Sequence, residues 1–294
     1  MKILIAISSK EYSGPTLDFG MNISRVLKAK TTILDVGAKI NELSQKDVSL
    51  ANELMGTWDI DRPGVEVLEW AYSYLIKNNF IENIFDKENF SKKSIYKESS
   101  KRAEIYLQGQ VLENINLILR NGDIVNELRD EVRTYSYDLT IIGGSGKRSL
   151  AHDFIQYIES SILIVNNFNL EKKYSILLAV DDSPGTEKAV KYGVRVAQAF
   201  NIKIDIITIS KDGHFGEGYS KAVERTKKMM RRCNIETKIF RKVGDPVQNI
   251  VETAGENHII IMGASTQSPI TKFFIGSKPL NVIEKSNCPV LIVK

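Results

Sequence analysis

Five short blocks recur in the same order in the two halves of this chain, and that repetition restricts the fold more than any other feature. The apolar run at 2–8, KILIAIS, returns as SILLAVD at 175–181. Leu17-Asp18-Phe19-Gly20 aligns with Val190-Lys191-Tyr192-Gly193, and Gly122-Asp123-Ile124-Val125 with Gly244-Asp245-Pro246-Val247. Asp138-Leu139-Thr140-Ile141-Ile142-Gly143 is echoed from His258 to Gly263, and the run at 162–165 by the one at 290–293. Chance does not order five matches, so the chain is an internal duplication. Each copy opens as strand, helix, strand: residues 16–29 carry Leu17, Phe19, Ile23 and Val26 at helical spacing, between short β-branched runs at 2–8 and 31–36. That is the unit of a parallel α/β sheet. A length of 294 residues suits two such domains. The polar stretch 166–173 separates them into 1–168 and 172–294.

The copies differ most between Val36 and Gly122, where the first is far longer. Residues 66–78 predict a helix with Val67, Leu68, Ala71 and Leu75 on one face. An insertion at about 79–115 follows. Its polar core, rich in Lys, Ser and Glu, reads as a solvated excursion that is helical at its end, over 103–111. A surface insertion of this kind costs little stability; the sharper alternative is an arm that docks a partner.

The net charge is +4, with Lys and Arg spread along the chain and no basic run interleaved with aromatics. Nucleic acid is therefore not an expected partner. No apolar stretch reaches the ~18 residues of a membrane helix. Ile3 to Ile7 is too short for an export signal and reads as a strand, so a cytoplasmic protein is expected. Two cysteines without a CxxC pair fit a reducing compartment, and His152, His214 and His258 lack ligand spacing, so no metal site is expected.

The segment 259–277, IIIMGASTQSPITKFFIGS, begins as a buried strand that stops at Gly263. Ligands in open α/β sheets sit at the carboxyl ends of such strands. Glycines and hydroxyls there suit an anion, through backbone N–H groups and side-chain donors. The loop reads as a phosphate cradle; the alternative is a strand-to-helix turn without a ligand. Asp181 and Asp182 follow a strand and precede Ser183-Pro184. Here Ser183 suits a helix cap, with Asp181 facing the crevice. Asp245 before Pro246 also reads as a cap, and His258 as a surface residue.

Three pieces of the second copy, AVDDSPGTEKAVKYG, VGDPVQNIVETA, and Gly263-x-x-Thr266 followed after nine residues by Gly276-Ser277 and a final CPVLIV, resemble a tandem universal stress protein. The resemblance covers nearly all of the chain outside the insertion. It implies two open, parallel five-stranded sheets with helices on both faces, of the adenine nucleotide alpha hydrolase-like fold. It implies ATP as ligand: Asp181 at the adenine and ribose side, a backbone contact at about Ile209, and Gly263, Ser265, Thr266, Gly276 and Ser277 around the phosphates. It implies that the last strands of the two copies pair, giving a pseudo-dimer in one chain, with a homodimer as a further option. Thr266 departs from the family's glycine. The first copy departs further: Ser8 replaces the Asp, and the loop from Gly143 to Ser149 is shorter by eight residues. Gly146-Lys147 there is no P-loop, because Arg148 stands where Ser or Thr is needed. This copy is expected to be a structural half, the alternative being a small-anion site at Lys147 and Arg148. Three readings follow for the whole chain: a stress-response protein switched by ATP, a scaffold of the same fold without nucleotide, and a slow ATPase. In the last, Asp181 helps hold Mg²⁺, and no base is visible. Lys272 and Lys278 read as solvated loop lysines.

Overall fold

The computed structural model describes residues 1–38, 64–81, 95–99, 102–107, 115–144, 148–264 and 277–294. They form two compact units, Met1–Asp138 and Leu139–Lys294.

The first unit runs β1 (Lys2–Ile7), α1 (Gly14–Leu27), β2 (Lys30–Gly37), α2 (Val65–Lys77), β3 (Ile95–Ser99), β4 (Arg102–Leu107), β5 (Ile115–Asn121) and α3 (Ile124–Tyr135). β1 pairs with β2 and β2 with β5, all parallel. Ile3, Leu4 and Ile5 have no exposed surface, as expected of a strand covered on both faces. α1 buries Leu17, Phe19 and Ile23 of the face read from the sequence, but Val26 in its last turn is exposed, and α2 forms where the helix over 66–78 is expected. The insertion differs from expectation. β4 adds antiparallel to β5, and β3 antiparallel to β4. Residues 103–107 are thus strand, not helix, and 108–111 lie outside the described residues. Pairing along the open edge of β5 satisfies backbone groups and outweighs a weak helical periodicity.

The second unit runs β6 (Leu139–Gly143), α4 (Arg148–Tyr157), β7 (Ser161–Val165), β8 (Ser175–Ala179), α5 (Pro184–Phe200), β9 (Ile204–Ser210), α6 (Glu217–Arg232), β10 (Thr237–Val243), α7 (Pro246–Ala254), β11 (His258–Gly263), α8 (Ser277–Lys285) and β12 (Val290–Val293). The strand order is β10-β9-β8-β11-β12-β7-β6. The first five are the parallel sheet expected of the second copy. β12 and β7 pair antiparallel, Leu291 opposite Leu163, so the closing strands of the two copies do meet. All five residues of β7 and all four of β12 are buried. This pairing gathers β6 and β7, which belong to the first copy by sequence, into the second unit. The units consequently divide at Asp138, ahead of the repeat boundary at 166–173.

α5 packs with α6, and α7 with α8, which gives the two helical layers. From β8 the chain steps outward through β9 to β10, then returns to β11 and steps the other way to β12. The reversal opens a crevice beyond the carboxyl ends of β8 and β11.

Candidate functional site

A cleft occupies that crevice. Its empty space is ≈ 590 Å³, counting the part open to solvent. In strand order, Ile207, Ile209 and Tyr219 line it beside β9, Asp181 and Thr186 beyond β8, and Met262 and Gly263 at the end of β11. Lys278 and Val282 of α8 follow, while Pro246, Val247 and Ile250 of α7 supply an apolar wall.

Asp181 is tied down locally. Its Oδ1 accepts from the Ser183 N–H (3.1 Å), the Ser183 hydroxyl (2.5 Å) and the Thr186 hydroxyl (2.6 Å). The Asp181 N–H donates back to Thr186 Oγ1 at 3.2 Å. Ser183 stands at the N-cap of α5, but its side chain makes no cap bond. The expectation that Ser183 caps the helix is therefore corrected: its hydroxyl is drawn to the carboxylate instead, the stronger acceptor. Only one carboxylate oxygen is engaged. Oδ2 has no partner among the described residues and is free to accept from a ligand.

Gly263 lines the cleft, and its missing side chain has a packing reason as well. A Cβ there would lie 2.6 Å from the carbonyl carbon of Gly185 and 2.9 Å from its Cα. Two glycine backbones thus bring the end of β11 against the first turn of α5. Ile209 lies where the resemblance places it, at the end of β9. Ser265, Thr266, Gly276 and Lys272 lie outside the described residues, as does Lys147. Ser277 begins α8.

Four helices start around the cleft, α6 among them with Tyr219 in its first turn. Asp245 caps α7, accepting from the Gln248 N–H at 2.8 Å, as expected. The turn into α5 is served by Asp181. α8 has no acid in its first turn, and Lys278 stands there, exposed and lining the cleft. Lys278 is thus more than a solvated loop residue. The cleft has a carboxylate beyond β8 and a cation at a helix N-terminus beyond β11, the second a favourable place for an anion. Burial and the nearby negative charges of Asp182 and Asp181 push the Tyr219 phenol up, so it stays a neutral donor. Among the described residues no group of three or more His, Cys, Asp or Glu side chains could hold a metal.

Thr186, Tyr219 and the apolar residues of α7 were not assigned to the site from the sequence. The repeat does carry a signal for Thr186. In the first copy Ser13 holds the matching position, and the Ser8 N–H donates to Ser13 Oγ at 3.1 Å. The hydroxyl clip is present twice; the carboxylate it serves is present once. His258 also departs from expectation. It is half-buried, with Nδ1 2.7 Å from the Ala254 carbonyl and Nε2 3.3 Å from Asp205 Oδ2, and Asp205 is only 3% exposed. It ties β9 to β11 at the end away from the cleft.

Comparison with known proteins agrees with this architecture. The model of the universal stress protein family matches residues 174–294. A universal stress protein of Methanocaldococcus jannaschii is 30% identical over 146 residues, 48% of this chain and 90% of that protein. A second from the same organism is 28% identical over 156 residues, 47% of this chain and 90% of that protein. Among solved structures, a universal stress protein from Archaeoglobus fulgidus DSM 4304 covers 100% of this chain and 96% of its own, with a TM-score of 0.62 and 15% identity, and so shares the fold across the whole length. Fold, repeat and these relatives lead to one conclusion: the chain belongs to the universal stress protein family.

Proposed function

We propose that the C-terminal copy binds ATP and that occupancy of its cleft acts as a switch in a stress response. The observation that carries this reading is the polarity of the cleft. An apolar slot between β9 and α7 suits a base, the free oxygen of Asp181 suits a hydroxyl or amine donor, and Lys278 at the start of α8 suits phosphate. Asp181, Ile209 and Gly263 support it by lining one cleft. Ser265, Thr266, Gly276 and Ser277 complete the phosphate side in this proposal. Mg²⁺ would arrive with the nucleotide, since it commonly needs only one or two protein carboxylates beside phosphate oxygens. The first copy, with Ser8 for the carboxylate, does not bind ATP in this way. We place the protein in the cytoplasm.

Titration calorimetry and thermal melts of the full chain with ATP test the proposal. Saturable binding is expected, with stabilisation of about 2.7 kcal/mol at a hundredfold excess over Kd. Lys278→Glu should weaken ATP by about tenfold or more and adenosine much less. Neither heat nor a melting shift at millimolar ATP would reject it and leave a nucleotide-free scaffold.

A further inference from the structure

Strands β5 and β10 hold the same place in the two copies. Each has seven residues and pairs parallel with the second strand of its copy. Each ends at a glycine whose N–H donates back to that strand: Gly122 to the Gly37 carbonyl at 3.1 Å, Gly244 to the Ser210 carbonyl at 2.9 Å. Each is followed by an aspartate that caps the next helix, Asp123 and Asp245. Their other edges differ. β5 carries β4 along its outer edge, in antiparallel register from Arg102 opposite Arg120 to Leu107 opposite Ile115. β10 has only β9 as a neighbour among the described residues.

The backbone directions at β10 follow from its two end bonds. The Ile204 N–H donates to the Glu236 carbonyl, and the Gly244 N–H to the Ser210 carbonyl. Even-numbered residues therefore face β9, and Thr237, Ile239, Arg241 and Val243 point their N–H and C=O groups outward. These are the counterparts of the β5 residues that face β4.

Positive charge is concentrated in the stretch of chain that leads into and forms β10. Residues 217–243 hold nine basic and three acidic side chains, a net +6, against +4 for the whole chain. The even spread of Lys and Arg expected from the sequence does not hold, because the cations recur at helical spacing rather than in a run. On α6, Lys221, Arg225, Lys228 and Arg232 form one exposed row. Lys221 pairs with Glu217. Arg225, Lys228 and Arg232 make no ion pair among the described residues. On β10, Lys238, Arg241 and Lys242 are exposed.

We propose that the outer edge of β10 is a docking site for an extended acidic segment of another polypeptide, which adds to the sheet as an antiparallel strand. In the first copy the chain's own insertion fills the equivalent edge. In the second copy no described residue fills the edge, and its cations choose the occupant. A second copy of this chain is disfavoured, since pairing β10 with β10 sets Lys and Arg against Lys and Arg. A nucleic acid or an anionic membrane would use the cations and leave the outward amides unpaired. An acidic strand uses both. The proposal is independent of the nucleotide reading.

The test uses the full chain and a labelled peptide of about ten residues alternating Thr and Glu. A peptide alternating Pro and Glu supplies the same charge without half of the amides, and a short DNA duplex supplies charge alone. Salt-sensitive binding of the Thr-Glu peptide is expected, reduced about tenfold or more by the double change Lys238→Glu and Lys242→Glu. Hydrogen exchange of the wild-type chain should slow at Ile239, Arg241 and Val243 when the peptide binds, with Lys238, Phe240 and Lys242 unchanged. Three results overturn the proposal: no binding at millimolar peptide, equal binding of the Pro-Glu peptide, or preference for DNA without slowed exchange at β10. In those cases the cations only guard the edge against strand pairing or attract polyanions generally.

Discussion

Asp181, which we propose faces the ligand, is also the side chain that organises a helix start. Its Oδ1 takes three donors from Ser183 and Thr186, so its position is set before any ligand arrives. Asp181→Ala should cost about 1–2 kcal/mol in chemical denaturation, because two hydroxyls lose their acceptor, and should also abolish measurable ATP binding. Asp181→Asn keeps an acceptor oxygen, so it should recover most of the stability but not the affinity. Equal ATP affinity in wild type and Asp181→Ala would remove this residue from the site. Gly263 makes the opposite point. From the sequence it reads as a phosphate glycine, yet the backbone of Gly185 alone forbids a side chain there. Gly263→Ala should destabilise by about 1–3 kcal/mol, the usual cost of overpacking, measured by urea unfolding without any nucleotide. An unchanged midpoint would show that β11 and α5 separate freely.

Elements carry a second kind of prediction, because burial at a strand end changes the chemistry of a group. Asp35 near the end of β2 is 4% exposed. Burial pushes its carboxyl up to about 7; a bond from the Val36 N–H opposes the shift, and the negative Glu66 adds to it. The unfolded chain would titrate it near 3.9. Between these values the folded state holds a proton that the unfolded state has lost, so stability is full below about pH 4 and declines as pH rises through about 7. Asp35→Asn should remove that slope and stabilise the protein at pH 8 by on the order of 1–3 kcal/mol. Denaturation at pH 4.5 and pH 8 checks it; parallel curves for wild type and variant would contradict it. The Asn variant keeps an amide that can still accept from Val36, so the comparison isolates charge. The hairpin of β3 and β4 belongs to this scale too. β3 falls in the stretch expected to be a solvated excursion, and 103–107 of β4 in the stretch expected to be helical. Strand pairing depends on a neighbour distant in sequence, β5, and local periodicity does not carry that information.

For the whole molecule, the proposal of one ATP site, in the second copy, predicts asymmetric protection. Saturating ATP should slow hydrogen exchange in 178–188, 205–210, 217–220 and 246–263, and leave 1–37 and 115–138 unchanged. Protection in the first unit of the same size would mean that Ser8 suffices where Asp181 stands in the second. Much of the fold was legible because a duplicated chain is its own alignment. The βαβ openings and the Gly-Asp turns before α3 and α7 follow from residues compared across the repeat, the helix α2 from apolar periodicity, and the meeting of β7 with β12 from the family resemblance. The cleft was legible in part: Asp181, Ile209 and Gly263 share it, while Tyr219 and the α7 wall gave no signal, since a lone aromatic or valine on a helix looks the same in a core as in a site. The sequence by itself determined the repeat, the strands and helices that recur in both copies, and which end of the sheet holds the cleft, because hydrophobic period and turn chemistry are local. The turn of Ser183 to Asp181 rather than to its helix is a local choice between partners. Tertiary structure decided where the compact units divide, that two glycines pack on each other, and which strand edge lacks a further neighbour among the described residues, because each depends on groups brought together by distant pairing.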